Sequence, residues 1–117
     1  MTDFQQDEEV TPVLFRVHRS PVKYGPEVTA VFPAEPFDTR GHYMSCYARV
    51  GQHGSCSLEW YWKTRPARPE EYASLKRELE SAPFGYRLKV YQKMTPQHRE
   101  AFRKEVNRMH RAYQESE

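Results

Sequence analysis

Nine prolines set the limits on what this chain can become. Proline fixes its own φ and donates no backbone hydrogen bond, so it opens helices, ends strands and stiffens loops. Together with the glycines, these prolines cut the chain into short pieces whose side chains alternate between apolar and polar. That period belongs to a strand with one buried face. PVLFRVHR (Pro12–Arg19) sets Val13, Phe15 and Val17 against Leu14, Arg16 and His18. Pro21, Gly25 and Pro26 mark a turn. EVTAVFP (Glu27–Pro33) predicts a second strand that stops at Pro33, and AEPFDTRG follows as a loop.

HYMSCYARV and SCSLEWYWK flank GQHG and predict a hairpin. A loop over Gly51–His53 would pair Val50 with Gly54, Ala48 with Cys56 and Cys46 with Leu58. TRPARP then breaks the sheet. The next segment is helical: Pro69 suits a first helical position, Glu70 and Glu71 complement the dipole, and Tyr72, Leu75, Leu79 and Ala82 form one stripe. Tyr86–Lys93 alternates as a strand. Thr95 and Pro96 open a last helix with Phe102, Val106, Met109 and Tyr113 on its apolar stripe. The expected order is β-β-β-β-α-β-α. The expected fold is a two-layer α+β domain, a mostly antiparallel sheet of about five strands with two helices packed on one face.

Composition sharpens this picture. Hydrophobic residues make up 38% of the chain; there are five leucines and no isoleucine, so valines and aromatics must fill the core. Residues 1–11 carry four acids and no base, which predicts an acidic leader without fixed structure ahead of a single domain at 12–117. The body holds all 18 basic side chains, enough excess charge to attract phosphates or acidic protein surfaces. No apolar run approaches the ~18 residues of a membrane span. The acidic start is unlike a secretory signal. The expectation is a cytoplasmic chain with reduced cysteines and no membrane partner.

His42, Cys46, His53 and Cys56 have the donor types of a zinc site, but in a strand His42 and Cys46 stand ~13 Å apart. Zinc bonds of ~2.0–2.3 Å cannot span that gap. A phosphate-binding glycine loop, a nucleophile elbow and a zincin helix are all missing, so no cofactor is implied. A thiol enzyme using Cys46 or Cys56 with His53 is the third choice, since a hairpin gives no obvious help to a thiolate. The leading expectation is a non-enzymatic binding or adaptor protein. Its contact surface would be the outer sheet face and adjoining loop: Tyr43, Tyr47, Arg49, Tyr61, Lys63, Arg65, Arg87, Lys89 and Tyr91. Tyrosine and arginine anchor protein interfaces, so a protein partner or a second copy of the chain would fit. The same rings and cations could instead stack and track single-stranded nucleic acid.

Overall fold

The computed structural model describes residues 10–19, 28–48 and 53–115. The chain is an α+β fold. Among the described residues, six strands form one mostly antiparallel sheet, β1 (Val10–His18), β2 (Thr29–Pro36), β3 (Met44–Tyr47), β4 (His53–Cys56), β5 (Thr64–Pro66) and β6 (Arg87–Tyr91), and three helices accompany them, α1 (Leu58–Trp62), α2 (Pro69–Glu80) and α3 (Pro96–Glu115). None is long and apolar enough to cross a membrane among the described residues.

The strands run β4-β3-β2-β1, and the far edge of β1 is shared. Its first half pairs in parallel with β6, Val10 with Arg87 through Leu14 with Tyr91. Its second half pairs antiparallel with β5, Arg16 with Pro66 and His18 with Thr64. β1 therefore begins at Val10, inside the stretch expected to be leader. β2 also outlasts its expected stop. Pro33 lies in an irregularity between Phe32 and Pro36, where a missing N–H costs no ladder bond.

Helices pack on both faces of the sheet. Consecutive apolar residues, Val13-Leu14-Phe15 in β1 and Ala30-Val31-Phe32 in β2, are all buried. Such runs belong to strands sandwiched on both sides. Val13, Phe15, Ala30, Phe32 and Tyr47 pack under Leu75 and Leu79 of α2. Leu14, Val31, Met44 and Cys56 pack under Tyr61 of α1 and Phe102 of α3. α1 and α3 pack on the second cluster and α2 on the first.

The hairpin register also differs from expectation: Cys46 faces Gly54 and Met44 faces Cys56. The larger change lies just beyond. SLEWYW leaves the sheet and coils, because the Ser57 side chain accepts the Trp60 N–H at 3.1 Å and so caps a helix. The pairing of Cys46 with Leu58 is therefore lost. TRPARP, expected to be linker, supplies β5 instead.

Two further caps place the long helices. Glu71 reaches back to the Arg68 backbone N–H at 2.7 Å and starts α2. At α3, Thr95 Oγ1 accepts the His98 N–H at 3.2 Å while His98 Nδ1 accepts the Thr95 N–H at 3.1 Å. This is a reciprocal capping box with histidine in the usual glutamate place. The far half of α3 is pinned by His110 Nε2 against Thr39 O and by Val106, which would lie 3.4 Å from a Cβ on Gly41. Gly41 also has φ +76°, so only glycine fits that close approach without strain.

Candidate functional site

Four of the residues expected to form one contact surface are exposed or partly exposed strand positions beyond β1, two are core, and they do not form one patch. Tyr47 is fully buried and its hydroxyl donates to Glu78 of α2. It sits opposite Ala30, on the side that α2 covers. Tyr61 is 2% exposed, because the helical turn of α1 rolls it beneath the sheet rather than along a strand. Arg65 is tied to Glu71 by two hydrogen bonds of 3.0 and 2.9 Å. Lys63 is exposed at the end of α1. Arg87 and Lys89 project from β6, Lys89 with its ammonium 5.5 Å from the Tyr91 ring. Tyr43 lies before β3, three strands away, with Arg40 beside its ring. At ~4.8 Å per strand that separates Tyr43 from β6 by roughly 14 Å, with α3 on the sheet between. Arg49 lies outside the described residues.

Tyr61 has a structural task. Its ring lies under the Arg16 guanidinium, 4.2 Å from Cζ. Arg16 is 4% exposed and donates to Thr64 Oγ1 (2.8 Å), Thr64 O (2.9 Å) and Gln92 O (2.9 Å). Those acceptors are neutral, so a buried cation is held by dipoles and a ring. Burial pulls the Arg16 pKa down, and Tyr61 opposes that pull. The Tyr61 hydroxyl accepts the Met94 N–H at 3.0 Å, which ties α1 to the start of α3.

That tie leaves an open groove of about 620 Å³ between the two helices. Leu58 and Trp62, one turn apart on α1, form one wall. Met94, Thr95, Pro96, Arg99, Glu100 and Arg103 form the other. Trp62 is 68% exposed, although a tryptophan side chain in water forgoes a large burial gain. Arg103 is paired with Glu100, whereas Arg99 lies against Met94 Sδ at 3.9 Å and is paired with no carboxylate among the described residues. As part of SCSLEWYWK, the expected second strand of the hairpin, Trp62 would lie in the sheet. Ser57, a capping residue two places before Glu59, was the available sign that it would instead sit on a helix.

A second opening of about 370 Å³ lies on the same side of the sheet, between β3, β4 and α1. Cys46 and Cys56 line it with Tyr43, Trp60 and Thr29. Both thiols are free, Cys56 buried and Cys46 half-buried. His53, the expected partner of a catalytic thiol, pairs with Tyr47 and contacts the Tyr47 and Phe84 rings. Alternation puts it on the opposite side of the sheet from both sulfurs. Trp60 instead donates its indole N–H to His18 Nε2 at 3.3 Å. Among the described residues, no three His, Cys, Asp or Glu side chains are grouped as a metal site.

The chain matches no family model, no curated protein and no solved structure.

Proposed function

We propose that this protein is a non-catalytic binding module whose groove between α1 and α3 grips an apolar segment of a partner protein that also carries acidic residues. The observation that carries this reading is Trp62, two-thirds exposed on the wall of a groove with Leu58, Met94 and Pro96. Exposed tryptophan with apolar neighbours and an arginine rim is the composition of an interface hot spot. Other large exposed apolar residues, Phe37, Tyr43 and Tyr113, are outside this groove. Arg99 on the rim, where Glu100 already pairs with Arg103, and exposed Lys63 and Lys93 next in sequence to groove residues favour an acidic flank on the partner.

The test compares wild type with Trp62→Ala and Arg99→Glu as baits in affinity capture at low and high salt. Polypeptides retained by wild type, lost from Trp62→Ala and weakened by Arg99→Glu support the reading. Equal retention by all three baits removes it. Light scattering on the same samples identifies a second copy of the chain as the occupant if a dimer disappears with Trp62→Ala. Oligonucleotide mobility addresses single-stranded nucleic acid. A salt-sensitive shift that Trp62→Ala abolishes would replace the protein partner with nucleic acid.

A further inference from the structure

Cys46 and Cys56 lie on one side of the β3–β4 ladder as diagonal neighbours, because Cys46 faces Gly54 and Cys56 faces Met44. Cys46 and Cys56 both line the cavity of about 370 Å³, together with Trp60 and Tyr43 and the hydroxyl residues Ser55, Ser57 and Thr29. A volume in that range suits a small molecule or a fragment of one. The two thiols are unequal. Cys56 is 5% exposed, which disfavours its thiolate, while Cys46 is half-buried and opens to the cavity.

We propose that Cys46 is a thiol-modification site that captures one half of a low-molecular-weight disulfide and seats it in the cavity between Trp60 and Tyr43. The Cys46 thiol gives its proton to water, and the thiolate attacks one sulfur of R–S–S–R. The S–S bond of the reagent breaks, a Cys46–S–S–R bond forms, and the electron pair leaves on R–S⁻, which takes up a proton. Cys46 is oxidised and the departing thiol is the reduced product, so the disulfide itself is the oxidant.

Cys56 helps without becoming the resolving thiol. Its hydrogen bond to Cys46 lowers the Cys46 pKa, and that same bond, with burial added, pushes the Cys56 pKa up. Diagonal positions across an antiparallel pair have Cα atoms roughly 7–8 Å apart. A disulfide needs about 4.4–6.8 Å, so closing Cys46 onto Cys56 requires the strands to shift. The captured group therefore stays. Gly54 leaves room beside it, since a Cβ there would lie 3.9 Å from Cys46 Sγ. This chemistry is independent of the groove at Trp62.

The experiment treats the full chain with dithiodipyridine, following release of thiopyridone and mapping the product by peptide mass. The expected result is one retained pyridyl adduct, on Cys46, formed faster than on a free model thiol. Cys46→Ser abolishes it. Cys56→Ala, which removes the hydrogen-bond donor, slows it about fivefold, the worth of one ordinary hydrogen bond. Cys56→Ser restores a donor and recovers most of the rate. A rate no higher than the model thiol, an adduct on Cys56, or a Cys46–Cys56 disulfide in place of the adduct each overturns the proposal.

Discussion

The two faces of the sheet are made by the same strands, yet among the described residues one closes ring on ring and the other carries two wide openings. Under α2, rings close on rings: Phe15 stacks on Tyr72 at 4.4 Å, Phe32 on Tyr86 at 5.5 Å, and Tyr47 meets Phe84 at 5.3 Å. The gap beside Phe15 and Tyr72 measures only about 30 Å³, room for about one water. Over the other face the cover comes in two unequal pieces, α1 of 5 residues and α3 of 20. Between and beside those pieces lie the Arg16 contacts, both thiols and the openings of about 620 and 370 Å³. Aromatic rings joined to one helix can be packed shut, whereas two helices from distant parts of the chain leave seams. Seams are where side chains reach solvent and ligands.

The most damaging way to probe this contrast is at Tyr47. Tyr47→Ala removes a fully buried ring and its bond to Glu78 from the sealed face. It should cost about 3–5 kcal/mol, as deletions of large core side chains do. Urea denaturation reads this directly. A loss below about 1 kcal/mol would place Tyr47 on an open surface after all. Arg16→Lys tests the polar side of the open face. One ammonium cannot reproduce a fork that serves Thr64 and Gln92 together, so about 2 kcal/mol should be lost. No change in the denaturation midpoint would mean that water, not Arg16, satisfies those carbonyls.

A smaller effect depends on pH. Burial lowers the His98 pKa in the folded chain, and its neutral Nδ1 is an acceptor in the α3 capping box. With the folded pKa below the unfolded one, the contribution is complete above the unfolded value near 6.5 and is lost as pH falls through the folded value. Wild type should therefore lose up to about 1 kcal/mol, the worth of a cap, relative to His98→Gln across that range. Parallel pH profiles for the two proteins would contradict it. Smallest of all for stability is Trp62→Ala. Its side chain is mostly in water, so unfolding should change by less than about 0.5 kcal/mol. A larger loss would make Trp62 a packing residue and weaken its case as an anchor.

The sequence carried much of this and withheld specific parts. Tyr86–Lys93 alternates cleanly and contains β6, and Pro69 and Pro96 mark the helix starts to the residue. The consecutive buried residues of β1 and β2 were visible as VLF and AVF, but alternation across β1 outweighed them, and with that choice an exposed face was assumed. SLEWYW was read as a strand because it follows the GQHG turn of a hairpin, and the single Ser57 cap proved stronger in place. Tyr61 could not have been placed without knowing where α1 leaves the sheet, nor Tyr47 without knowing that α2 covers its face. Cys46 and Cys56 were correctly seen as diagonal neighbours, though from a different register; an even offset of pairing keeps the same side chains on each face.

The shared edge of β1 has a consequence for how the chain reaches this state. β1 is made early, but its first half waits for β6, and Arg16 waits for Gln92, 76 residues further along. Until the later segment arrives, β1 presents unpaired backbone groups to any passing strand. Closing so long a loop is slow and cannot be rewarded piecemeal. The molecule should thus unfold as one cooperative unit. A fragment ending before residue 87 should aggregate rather than persist as a smaller sheet.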